Sequence, residues 1–70
     1  MRFICAFAHP RRVEEIEISV ELSAAECRAV KQMVREGDVH AECKAAAFAL
    51  KSAYQMAPRN YRHVDVVMVN

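Results

Sequence analysis

The chain opens on an unbroken apolar run, Phe3-Ile4-Cys5-Ala6-Phe7-Ala8, closed by His9-Pro10-Arg11-Arg12. Six apolar residues ending at a proline turn predict a short strand buried on both faces. Residues 13–22, VEEIEISVEL, then alternate. Ile16, Ile18, Val20 and Leu22 point one way, while Glu15, Glu17, Ser19 and Glu21 point the other. A period of two with β-branched residues on one side predicts a half-exposed strand, joined to the first as a hairpin.

The period then lengthens to that of a helix. Ser23 and Glu26 have the spacing of a capping box, each side chain serving the other's backbone amide. Cys27, Val30, Met33 and Val34 share one face of this helix, with Arg28, Lys31, Gln32 and Arg35 on the other. Gly37 ends it, because glycine enters the left-handed conformation without a Cβ penalty. Asp38 is positioned to cap a second helix from Val39 to Ala57, which Pro58 stops. On a helical wheel Val39, Cys43, Ala46, Ala47, Leu50, Ala53, Tyr54 and Ala57 form the core stripe. A second patch, Ala41, Ala45 and Phe48, lies nearly opposite, with Phe48 roughly 160° from Leu50. Residues 61–69, YRHVDVVMV, read as a last strand with Arg62, Val64, Val66 and Met68 on one face.

The predicted fold is α+β in the order ββααβ: a three-stranded sheet with a helical hairpin packed on one face, in one domain spanning residues 1–70. A helical hairpin returns the chain to where it left the sheet. The last strand is therefore expected parallel to the first and antiparallel to the second. The first strand, the most apolar, is favoured as the central one.

Composition adds a constraint. With 70 residues, 54% of them hydrophobic, such a chain buries only about 60% of its unfolded surface and leans on a staple. Three cysteines (Cys5, Cys27, Cys43) without a CxxC leave one over under any pairing, so reduced thiols in a cytoplasmic, soluble protein are expected. The amino-terminal apolar run is shorter than a signal-peptide core, and no stretch approaches the length of a membrane span. A second copy of the chain is the remaining staple. Its expected surface is the far patch of helix two, Phe48 with Ala41, Ala45 and Ser52, or a sheet edge left open by the last strand.

The candidate chemistry is sparse. His40 and Cys43 share a helical face, and Cys27, His9 or His63 could add ligands, but none of these has zinc-site spacing; no metal and no cofactor are expected. Tyr61, His63 and Asp65 alternate onto one face of the last strand, yet no nucleophile accompanies them, so no catalytic residue is assigned and the chain is read as non-enzymatic. One glycine cannot form a phosphate-cradling loop. Arg11-Arg12, with Arg2 and Arg59 to Arg62, is read as solvated strand-end charge, since the expected topology need not bring the first turn and the Pro58 loop to one edge.

Residues 16–52 resemble the ribbon-helix-helix proteins, ParD-type antitoxins in particular. The resemblance rests on Ile18-Ser19-Val20-Glu21-Leu22, a capped helix, Gly37, and Ala49-Leu50-Lys51 in an apolar second helix. It implies an intertwined dimer whose paired strands enter the DNA major groove with Glu17, Ser19 and Glu21 facing the bases. In this chain two of those three are carboxylates, the family's Ser-Glu-x-x-Arg signature is replaced by Cys43-Lys44-Ala45-Ala46-Ala47, and the net charge is +1. Nucleic acid is therefore not the expected partner. The expected function is protein–protein association, as a homodimer; the alternative is a DNA-binding regulator or antitoxin.

Overall fold

The computed structural model describes residues 1–69. Two strands, β1 (Arg2–Ala8) and β2 (Glu15–Glu21), lead into two helices, α1 (Ala24–Arg35) and α2 (Ala41–Met56), and the chain ends on β3 (Arg62–Val69). This is the expected α+β order, with the strands in one sheet as β2-β1-β3. The most apolar strand is central. Its residues Phe3, Cys5 and Phe7 are buried, and the alternate residues Ile4, Ala6 and Ala8 are half-buried. Burial on both faces does not occur, because helices cover only one face.

The direction of β3 differs from expectation. Both neighbours of β1 run antiparallel to it, Arg2 pairing with Glu21 on one side and with Val69 on the other. β3 is thus parallel to β2. The reason lies in the helices: α2 lies along all three strands, whereas α1 lies against α2 and joins the core only through Val30 and the half-buried Cys27. The connection from β2 to β3 therefore advances by the length of α2 instead of cancelling, and delivers the chain to the opposite end.

The local stops work largely as the sequence implies. Ser23 Oγ accepts from the Glu26 amide at 3.1 Å, and Glu26 Oε1 accepts from the Ser23 amide at 2.9 Å. At the other end of α1, the Gly37 amide donates to Val34 O and the Asp38 amide to Met33 O, with Gly37 at φ 73°. That pair of bonds is a Schellman cap. Asp38, however, does not cap α2. Its Oδ1 accepts from the His40 amide at 2.8 Å, which makes a turn, and α2 begins only at Ala41. Ala57 is extended ahead of Pro58, as the ring of a following proline requires.

The core is assembled from the helix-facing side of the sheet and an alanine seam. Phe3, Cys5, Phe7, Val20, Leu22, Val30 and Tyr61 pack with Ala45, Ala49 and Ala53. Ala41, Ala45, Ala49 and Ala53 are all buried. Residues four apart drift only about 40° per step around the helix axis. Four alanines at this spacing bring the helix backbone close to the sheet. The expected stripe is turned part-way out: Val39 lies outside the helix and is exposed, and Cys43, Ala47 and Tyr54 are exposed as well, while Ala53 of that stripe is buried and Leu50 and Ala57 pack at the flank of the core.

Candidate association surface

The rotation of α2 relocates the surface expected for self-association. Ala41 and Ala45 are 5% and 4% exposed. Phe48 and Ser52 are half-buried, and the Phe48 ring packs against the core with Lys44 Nζ 5.0 Å from its centroid. The far patch of the sequence wheel is thus the helix's core-facing side and is spent within the chain. The physical reason is shape. An alanine face allows a closer approach to the sheet than one carrying Tyr54 and Leu50, and the flanks still take in Phe48, Leu50 and Ala57.

Exposed apolar side chains gather on β3, while Val13, Val34, Val39 and Met56 are exposed on other segments. Val64, Val67, Met68 and Val69 are 54%, 50%, 54% and 37% exposed. β3 is an eight-residue edge strand paired only with β1, so one row of its backbone amides and carbonyls faces outward among the described residues. A bulge decides how its side chains divide. Ala6 pairs with Asp65 and Phe7 with His63, which leaves Val64 as the extra residue. Val66 and Met68 therefore face α2, while Val67 and Val69 lie on the open face with Asp65. The expected single face of Arg62, Val64, Val66 and Met68 does not form. Beside Val66 and Met68 an apolar groove of about 470 Å³ opens against Phe3, Val30, Ala45 and Ala46.

The other edge is different in kind. β2 carries Glu15, Glu17 and Glu21, all exposed, with Ser19 between them on the open face. Glu21 Oε2 lies 3.1 Å from the Met1 amino group and its Oε1 3.9 Å from Arg2 Nη2. The intertwined ribbon implied by the ribbon-helix-helix resemblance is not this architecture. β2 pairs along its full length with β1 of its own chain, in a three-stranded sheet.

The candidate chemical groups disperse. Among the described residues no three His, Cys, Asp or Glu side chains gather as metal ligands. Cys43 is exposed and Cys27 half-buried, its thiol 3.9 Å from Leu22 O. Cys5 is fully buried, and desolvation pushes its thiol above the ordinary range. Tyr61, His63 and Asp65 do not share a face, because the bulge at Val64 intervenes. Tyr61 is buried with its ring 5.3 Å from that of His9, and Asp65 Oδ1 accepts from the Val66 amide.

His63 instead pairs with Tyr54 of α2, a contact that spacing along the chain did not suggest. The His63 amide donates to the Tyr54 hydroxyl at 3.0 Å, and that hydroxyl lies 2.8 Å from His63 Nδ1. The hydroxyl accepts from the backbone and is left its proton for Nδ1, which selects the Nε2–H tautomer of the neutral ring. Tyr54 also meets Phe7 edge-on at 4.9 Å. This cluster clamps the end of α2 to the start of β3.

No family model, curated protein or solved structure matches this chain. Among the described residues no helix is long and apolar enough to cross a membrane.

Proposed function

We propose that the protein is a small non-enzymatic association module, and that its first partner is a second copy, paired antiparallel through β3. The observation that carries this reading is the edge itself: eight residues, four of them exposed large apolar side chains, with neither lysine nor proline to blunt it.

Three features favour a second copy. An antiparallel pairing of identical strands is self-complementary and closes as a two-fold dimer. The alternative edge, β2, would oppose glutamates to glutamates, and a β2-to-β3 contact would propagate without closing. The groove beside Val66 and Met68 also offers an apolar wall to the side chains of an added strand on the helix side. A two-fold centred on Val66 or Val67 keeps the two Asp65 carboxylates from standing directly opposite each other, which like charges disfavour. A DNA-binding regulator has less support: the open face of β2 would present Glu15, Glu17 and Glu21 to phosphate.

Light scattering on the eluting protein tests the proposal. The expected mass is twice the 8.0 kDa of one chain. Val67→Asp should halve it, since the new carboxylate stands opposite either its own copy or Asp65 of the second copy. Val67→Thr, which keeps the branched shape, should leave it doubled. A wild-type monomer at hundreds of micromolar would refute self-association, and a dimer that survives Val67→Asp would move the interface elsewhere.

A further inference from the structure

The antiparallel course of β3 has a second consequence, at the end of the sheet where β1 finishes. The turn after β1 and the loop before β3 come together there. Ala8, His9, Pro10 and Arg11 from one side, with Asn60, Arg62 and Val64 from the other, enclose an open concavity of about 770 Å³. We propose that this concavity binds a phosphate monoester of a small molecule, with the phosphate held by Arg11 and Arg62 and an apolar or planar body resting on Ala8, Pro10 and Val64.

Charge is the first argument. Arg11 and Arg62 both line the concavity, no acidic residue does, and among the described residues neither arginine has a carboxylate within 4.0 Å. In a chain with 9 acidic and 10 basic residues, two unpaired arginines on one concave wall are a local excess of positive charge. Two guanidiniums match a dianion better than the single charge of a carboxylate, and their planar donors suit phosphate oxygens.

The neutral donors agree. His9 Nδ1 accepts from the Arg11 amide at 3.0 Å, so the neutral ring carries its proton on Nε2, where it can donate. The Tyr61 ring beside it, 5.3 Å away, fixes its position. Asn60 holds φ 70°, a left-handed conformation that asparagine tolerates, and its position on the rim adds an amide donor. Arg62 is tethered by Nη1 donating to Tyr61 O at 3.3 Å. It is therefore partly ordered before a ligand arrives, which lowers the entropy lost on binding.

Titration of ¹⁵N-labelled protein with inorganic phosphate, phenyl phosphate and benzoate tests this. The expected result is saturable shifts confined to the amides of residues 8–11 and 60–64. Phenyl phosphate should bind tightest, inorganic phosphate more weakly, and benzoate weakest. Arg11→Gln, at an exposed turn outside the core, should weaken phenyl phosphate roughly tenfold or more, as loss of a charged hydrogen bond implies. Arg62→Gln should do the same, with the undisturbed remainder of the spectrum reporting an intact fold. Shifts that do not saturate, or that persist unchanged in Arg11→Gln, would overturn the site. Equal binding of phenyl phosphate and inorganic phosphate would overturn the apolar subsite. Repeating the titration on Val67→Asp separates this site from the β3 dimer: phosphate binding should survive there whatever the mass.

Discussion

Replacing Ala49 with leucine tests the orientation of α2, on which every other placement depends. Ala49 is fully buried between the helix and the sheet, within a core that includes Phe3, Cys5, Phe7 and Val20. Leucine adds three carbons where no space exists, and overpacking of this kind costs about 1–3 kcal/mol. A domain of 70 residues has roughly 3.5–10 kcal/mol of stability in all, so the loss is a sizeable fraction. With a urea dependence near 1 kcal/mol per molar, the low end for small proteins, the midpoint should fall by about 1–3 M. The matched control is Ala47→Leu. Ala47 is exposed and leucine is almost as good a helix former as alanine, so the change should stay within about 0.5 kcal/mol. Unfolding is followed by helix ellipticity at one fixed protein concentration, because self-association adds concentration-dependent stability. The sequence wheel alone predicts the reverse order, since it places Ala47 in the core stripe and leaves Ala49 out. Equal losses, or a larger loss for Ala47→Leu, would refute the packing described above.

Three further outcomes follow from the packing and burial of particular side chains. Tyr54→Phe keeps the ring against Phe7 but removes the hydroxyl that meets the His63 backbone amide and ring Nδ1. It should cost about 0.5–1 kcal/mol at this partly exposed site, and nitrogen shifts of the His63 ring should show the Nε2–H tautomer giving way to a mixture; an unchanged ratio would refute the assignment. Alkylation followed by mass spectrometry should modify exposed Cys43 first, Cys27 more slowly and buried Cys5 only on unfolding. Because burial raises the Cys5 pKa in the folded state alone, its contribution to stability is complete below the unfolded thiol value and is lost as pH rises through the folded one. A mildly alkaline fall in stability that is absent in Cys5→Ala would be the sign of it.

Much of the candidate surface was legible in part. An edge left open by the last strand was foreseeable from VDVVMV, where apolar residues occupy alternate and intervening positions and so cannot all face one core. Which residues face which way was not, because the bulge at Val64 shifts the alternation and nothing in Arg62-His63-Val64 marks it. The concavity lined by Arg11 and Arg62 is obscured for a different reason. In the sequence its residues read as strand-end charge, but Arg11 and Arg62 come to one concavity only if β3 runs antiparallel to β1.

What the sequence determined by itself is local. The capping box of Ser23 and Glu26, the Gly37 stop, the Pro58 break and the alternation from Glu15 to Glu21 depend on backbone geometry and near neighbours, and each is where the residue types require it. The tertiary structure decided the rotation of α2, the direction of β3 and the identity of the free edge. Alanine is the cause in the first case: apolar enough for any face and too small to declare one, it leaves a wheel dominated by Tyr54 and Leu50. Close packing then chooses the face that lets the helix backbone approach the sheet. Strand direction follows from whether one helix or two lie along the sheet, a property of the packed whole that no segment carries alone.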